Sequence, residues 1–145
     1  PTGSWYRHGA SALMICGMEG GLVFTYRGSW CPEGCNTTWE CSWRAVGSEG
    51  SALWDGADAI RAQVVDRSRP AAFFMPMQEL VVPPAAPLAH QHHGGVIDDF
   101  VTSLRAGRAP QTICTDNIKS MAMVHAAIAS AEAEGRRVFI KDLLA

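Results

Sequence analysis

The chain has 145 residues, 48% of them apolar and 18% charged, with a formal charge of -2 at neutral pH. That length supports one domain with a real core and is short for two ordinary ones. There is no basic stripe, no arginine-rich run and no apolar stretch long enough to cross a bilayer, so composition gives no argument for nucleic acid or membrane as a partner. Five cysteines, Cys16, Cys31, Cys35, Cys41 and Cys114, form an odd, scattered set. They are expected to be reduced and mostly buried thiols in a cytoplasmic protein. The chain opens on Pro1 without an initiator Met or a signal-like segment, and is therefore expected to be a processed or truncated piece.

Residues 11–16 and 21–30 read as two strands joined at Met18-Glu19-Gly20-Gly21, where a glycine pair permits the positive φ of a tight turn. In the second strand Leu22, Phe24, Tyr26 and Trp30 fall on one side, alternating with Val23, Thr25 and Arg27. A loop through Cys31-Pro32-Glu33-Gly34-Cys35-Asn36 precedes a strand expected over 37–46, in which Trp39, Cys41 and Trp43 alternate with Glu40, Ser42 and Arg44. The turn Gly47-Ser48-Glu49-Gly50 leads to a strand at 51–54, and Asp55-Gly56 turns the chain into another at 59–65. The polar run 66–70 reads as a surface loop. Residues 73–82 hold a further strand in which Pro76 has to occupy an edge or a bulge. Pro83, Pro84 and Pro87 make a stiff connector.

Beyond the connector the hydrophobic period changes. Val96, Ile97, Phe100, Val101 and Leu104 recur at helical spacing from Gly94 onward, with Asp98 and Asp99 in the expected first turn, Arg105 near the end and Gly107 placed for a left-handed C-cap. Pro110 forbids continuation. Asp116 is the expected N-cap of a second helix over about 117–134. Its stripe is Ile118, Met121, Val124, Ile128 and Ala131, and Gly135 stops it. Residues 137–141 alternate as a short closing strand. A meander, two helices and a returning strand make an α+β pattern, a mostly antiparallel sheet with helices on one face. The opposite, aromatic face has to be covered, and a second copy of the chain is the economical candidate.

Cys31-x3-Cys35-x5-Cys41 has poor spacing for zinc even with His90, His92 and His93 nearby in sequence, and no metal ligand set is assigned. His90-Gln91-His92-His93 precedes Gly94-Gly95 at the start of the first helix, where imidazoles and unpaired backbone N–H groups can meet a hydroxylated or anionic ligand; a solvated linker explains the run equally well. His125, inside the second helix, reads as structural. Trp30, Trp39, Trp43 and Trp54, at alternating positions, read as core or interface rather than as a stacking site for sugar. Asp98 and Asp99 are adjacent on a helix and do not form a carboxylate pair. No G-x-G-x-x-G, P-loop or G-x-S-x-G is present.

Taken in order, Ala45-Val46-Gly47-Ser48-Glu49-Gly50-Ser51-Ala52-Leu53, the helix from Ile97-Asp98-Asp99-Phe100 through Leu104-Arg105-Ala106-Gly107-Arg108-Ala109-Pro110, Asp116, Ser130-Ala131-x-x-x-Gly135 and Arg137-Val138-Phe139-Ile140 resemble the C-terminal domain of the Gfo/Idh/MocA family of NAD(P)-dependent oxidoreductases. The resemblance spans nearly the whole chain. It implies a large antiparallel sheet of the glyceraldehyde-3-phosphate dehydrogenase C-terminal type, helices on one face and the open face joined to another subunit. It also implies a parent enzyme that binds NAD or NADP in an N-terminal Rossmann domain and passes a hydride to or from a sugar, cyclitol or related hydroxy compound. The family's E-K-P lysine and D-x-x-x-H aspartate and histidine have no counterpart among these 145 residues. No catalytic or cofactor-binding residue is therefore carried over, and the fragment by itself is expected to be inactive. The position just before the first helix, where family members place a substrate-touching side chain, is occupied here by His92 or His93. The alternative is a standalone dimeric ligand-binding or assembly module without redox activity. A metal-dependent protein using the cysteine and histidine clusters is a weaker third reading.

Overall fold

The computed structural model describes residues 9–84, 86 and 89–144; Pro87 of the expected connector lies outside them. The chain divides into two compact units, Pro1–Ala86 and Pro87–Ala145. The first carries antiparallel strands and the second two helices, the α+β character that the hydrophobic periods predict.

In the first unit β1 (Ser11–Gly17) pairs with β2 (Val23–Ser29) through a turn in which Gly20 and Gly21 take φ of 74° and 83°. Both glycines are needed there, since a side chain at such φ is strained. Ser11 Oγ donates to Ser29 Oγ at 2.8 Å across the open end. Met14, Cys16 and Phe24 on one side of this hairpin are half-buried, and the Phe24 ring stacks on Trp43 with centroids 6.2 Å apart. The other side carries Leu13, Ile15 and Val23, all exposed.

The second sheet is a meander in the order β3 (Trp43–Val46), β4 (Gly50–Trp54), β5 (Ile60–Val65), β6 (Met77–Leu80). Its register sets Trp43, Trp54 and Ile60 side by side, then Ala45, Ala52, Ala62 and Leu80, on one face. The alternate rows put Arg61, Gln63 and Glu79 on the other, where Gln63 Nε2 donates to Glu79 Oε1 at 2.7 Å and Arg61 lies 3.8 Å from the same oxygen. The first face gathers tryptophans and alanines, while the second mixes these polar side chains with Val46, Leu53, Val65 and Met77. Pro76 stands just before β6, and its carbonyl accepts from the Asp66 N–H at 2.8 Å.

The strand expected over 37–46 is shorter than its alternation implies, and this breaks the meander into two sheets. Residues 38–41 make a turn closed by the Cys41 N–H on the Thr38 carbonyl (3.1 Å), with Cys41 at a φ of 66°. The Thr38 hydroxyl donates to the Gly56 carbonyl (2.9 Å) and Trp43 Nε1 donates to the Glu40 carbonyl (2.7 Å). Those bonds hold the segment out of the ladder. Trp39 is therefore exposed, edge-on to Trp30 with centroids 5.4 Å apart. The expectation of mostly buried thiols is corrected by the same loop. Cys35 (φ 47°) and Cys41 lie exposed in it, Cys114 is exposed at the start of a helix, and Cys16 and Cys31 are only half-buried.

In the second unit α1 (His92–Arg105) starts two residues earlier than expected, so Asp98 and Asp99 occupy its second turn and not its first. Gly107 takes the anticipated left-handed cap at φ 66°. The helix α2 (Cys114–Glu132) begins ahead of the expected N-cap. Ile113 precedes it, accepting from the Asn117 N–H at 2.9 Å, and Asp116 sits inside the first turn, paired with Lys119 at 2.7 Å. Its carboxylate still meets the positive end of the helix dipole. Gly135 terminates the helix at φ 83°, its N–H on the Ser130 carbonyl (2.8 Å). The closing strand does not form. Phe139 has extended backbone, but extension alone makes no ladder. Its ring lies under Arg137 (4.6 Å) and Lys141 (5.5 Å), and Ile140–Asp142 turns into a short 3-10 helix packed on α2. The apolar stripes of both helices, including Phe100 and Leu104 on α1 and Ile118, Met121, Val124 and Ile128 on α2, are exposed. The covered positions are small or polar: Ser103 on α1 and Ala122 on α2.

Candidate functional site

The start of α1 and the turn that follows its end fold toward each other, and Asp99 is the reason. Asp99 Oδ2 accepts from the Gln111 backbone N–H at 2.7 Å, while Oδ1 accepts from Ser103 Oγ (3.1 Å) and Arg108 Nη2 (3.3 Å). Ser103 is one turn on along the helix, the spacing at which side chains meet, and it is fully buried. The Gln111 N–H donor, and after it Ser103 and the Arg108 guanidinium, hold the Asp99 carboxyl below its ordinary value of 3.8 against a smaller opposing effect of burial. Asp99 is thus ionised at neutral pH with both oxygens engaged. It fixes the turn and is not free to act as a base.

The fixed turn closes one side of a concavity of about 700 Å³. His90, Gln91, His92, Val96, Phe100, Gln111 and Thr112 are among the residues that line it. The first turn of α1 has no side-chain cap on its N–H groups: Gln91 is the N-cap residue, in extended conformation, and makes no capping bond. A Cβ on Gly95 would lie 3.0 Å from the His90 carbonyl oxygen, a tight contact that one of the two would have to relieve by a few tenths of an ångström. His92 itself takes a φ of 53°, a left-handed conformation uncommon outside glycine and of the kind found where a side chain is held in place by its surroundings.

Of the two side chains expected to face a ligand, His92 lines the concavity and His93 is not among the residues that do so; His90 is. Imidazoles, a carboxamide and a threonine hydroxyl beside apolar side chains can hydrogen-bond hydroxyl groups as donor or acceptor. Gln111, Arg108 and Ser103 were not singled out from sequence. Only the Asp99-x3-Ser103 spacing carries a local signal of the arrangement. His125 lines a smaller concavity of about 220 Å³ between α2 and the 3-10 helix, with Ile118, Met121, Leu143 and Leu144. Among the described residues no group of three or more His, Cys, Asp or Glu side chains is arranged to hold a metal ion, and no helix is long and apolar enough to cross a membrane.

No protein-family model, curated protein or solved structure matches the chain.

Proposed function

We propose that this chain is the substrate-side and subunit-joining domain of a Gfo/Idh/MocA-like oxidoreductase, a parent enzyme that moves a hydride between NAD or NADP and a sugar, cyclitol or related hydroxy compound. The order of motifs from Gly47-Ser48-Glu49-Gly50 to Gly135 supports the family reading. The observation that carries the ligand-facing role is His92, held at a φ of 53° among the residues lining the α1 concavity, where strained backbone is kept in place for the side chain it presents. In this reading His90 and His92 hydrogen-bond hydroxyls of the substrate, Gln111 and Thr112 face them, and Asp99 positions the turn. The dinucleotide and the proton-transferring groups belong to a domain outside these residues. The sheet and helix faces with exposed apolar side chains join subunits.

Titration of the chain with inositols and aldoses, followed by the backbone amide NMR signals of Gly94, Gly95 and Gln111, tests the site. Saturable shifts in the wild type that are lost in His92→Gly are expected, and no saturable NADH or NADPH binding by the chain alone. Dinucleotide binding by this chain, or polyol shifts confined to other residues, would overturn the assignment. The second reading, a standalone dimeric module without redox activity, is favoured by one specific feature: the outer side of the β1–β2 hairpin leaves Leu13, Ile15 and Val23 exposed beside Thr25 and Arg27.

A further inference from the structure

The four described tryptophans divide into two kinds by their indole N–H groups. Trp43 Nε1 donates to the Glu40 carbonyl at 2.7 Å and Trp54 Nε1 to the Ala57 carbonyl at 2.8 Å, so both rings are tied to the backbone beside them. Trp30 and Trp39 differ on every count. Neither indole N–H has a hydrogen-bond partner among the described residues. Trp30 is 59% exposed and Trp39 83%. Their rings meet edge to face, with centroids 5.4 Å apart and planes 60° apart. The strand alternation that assigns Trp39 to a core or an interface does not apply, because the 38–41 turn takes it out of the ladder.

We propose that Trp30 and Trp39 form a stacking site for a pyranose ring, a carbohydrate site on the first unit that uses none of the residues lining the α1 concavity. Two indole planes at 60° make a corner with aromatic walls. A pyranose with equatorial hydroxyls carries axial C–H groups on both faces, and these weakly positive hydrogens settle on the negative face of an aromatic ring. Its hydroxyls radiate from the rim, where they accept from an N–H donor at the edge of an indole. Trp30 and Trp39 have that donor to give, and Trp43 and Trp54 have already spent theirs.

The chain around the pair selects a sugar over a protein. Residues 31–42 contain no Leu, Ile, Val, Met or Phe, and supply Asn36, Thr37, Glu40 and Ser42 beside Trp39 in sequence. A protein-docking hot spot is ringed by packed contacts that exclude water. Amide, hydroxyl and carboxylate groups in the same loop as bare aromatic rings are instead the donors and acceptors that the rim of a sugar uses. Both rings are also carried on pinned backbone. The Trp30 N–H donates to the Ala10 carbonyl at 2.7 Å, and the turn bearing Trp39 is closed by the Cys41 N–H on the Thr38 carbonyl and by the Thr38 hydroxyl on the Gly56 carbonyl. A platform held in this way costs little ordering when a ligand arrives.

Titration of the full chain with methyl β-glucopyranoside, followed by the indole N–H signals in NMR spectra, tests the proposal. Saturable shifts of the Trp30 and Trp39 signals are expected, with a Kd of about 1 mM, which a monosaccharide-sized ligand reaches at ordinary efficiency per atom. The Trp43 and Trp54 signals should stay in place. Glucitol, an open-chain polyol without a rigid C–H face, should bind more weakly. Trp39→Ala, at an exposed position, should abolish the shift at Trp30 with unchanged circular dichroism, and Trp39→Phe, which keeps a stacking face but loses the N–H, should weaken binding about fivefold. No saturable shift at Trp30 and Trp39, glucitol binding as tight as the glucoside, or binding undiminished in Trp39→Ala would overturn the stacking site. Shifts at Trp30 and Trp39 with none at Gly94, Gly95 and Gln111 would support it while overturning the α1 assignment.

Discussion

Replacing Gly56 by alanine measures how the 38–41 turn is held away from the sheet. Gly56 is buried at a φ of 83°, and a Cβ placed on it would overlap the Cys41 carbonyl oxygen and crowd the Thr38 hydroxyl. The left-handed backbone alone costs an alanine about 1–2 kcal/mol. Overlap with a backbone oxygen is relieved only by lifting the turn, which gives up the Thr38–Gly56 hydrogen bond and about 1 kcal/mol more. The smaller freedom of the unfolded alanine chain returns about 0.5 kcal/mol. A net loss of about 1.5–2.5 kcal/mol follows. Gly107→Ala is the matched control: its φ is 66°, but nothing lies within 4 Å of the added Cβ. It should lose only the backbone strain, about 1 kcal/mol net. Equilibrium urea denaturation followed by tryptophan fluorescence for the first unit and by far-UV circular dichroism for the second reads both losses. If Gly56→Ala loses no more than Gly107→Ala, the close approach of the turn to Gly56 is wrong, and with it the reason given for the truncated third strand.

Asp99→Asn should destabilise the second unit at neutral pH, and the sign of the pH dependence is fixed by the lowered carboxyl pKa. The stability contributed by ionised Asp99 is fully present above the unfolded value near 3.8 and is lost as pH falls through the lower folded value. Wild type and variant should therefore converge at the acid end of a pH series of urea midpoints. A difference that persists unchanged into acid would contradict the hydrogen-bonded role. Gly94→Ala, inside α1 with its added Cβ at an ordinary 3.7 Å from the His90 Cβ, should raise the stability of the helical unit by about 0.5 kcal/mol. His92→Gly should relieve the left-handed backbone and weaken polyol binding in the amide titration; a loss of stability with polyol binding unchanged would mean that His92 is structural. Ser103→Ala should cost about 1 kcal/mol by leaving Asp99 one donor short, measured by the same denaturation.

Much of the fold is legible in local chemistry. Gly20 with Gly21, Gly107 and Gly135 all take the positive φ their positions call for, because each need is set by the residue itself and its neighbours in the chain. The strands β4 and β5 begin within one residue of where alternation puts them. Two of the departures are contacts made across sequence. Residues 37–42 alternate like a strand, but Thr38 is captured by Gly56, eighteen residues on. The closing segment has strand-like alternation and extended backbone at Phe139, but no ladder forms along it. Asp98 and Asp99 fit a first helical turn, but the helix begins at His92, through residues of poor helix propensity, and Asp99 is used instead by Gln111, twelve positions later. The histidine run could be placed at a helix start from the sequence. Which imidazole reaches the concavity depended on the left-handed turn at His92, which no local pattern announces.

The central claim, that this is the substrate-side half of an oxidoreductase, is tested most directly by translating the coding sequence immediately upstream of Pro1 in the same frame. The account predicts a strand leading into G-x-G-x-x-G, followed by E-K-P and then D-x-x-x-H. A start codon directly ahead of Pro1, with no such domain encoded, would contradict it and leave the standalone module.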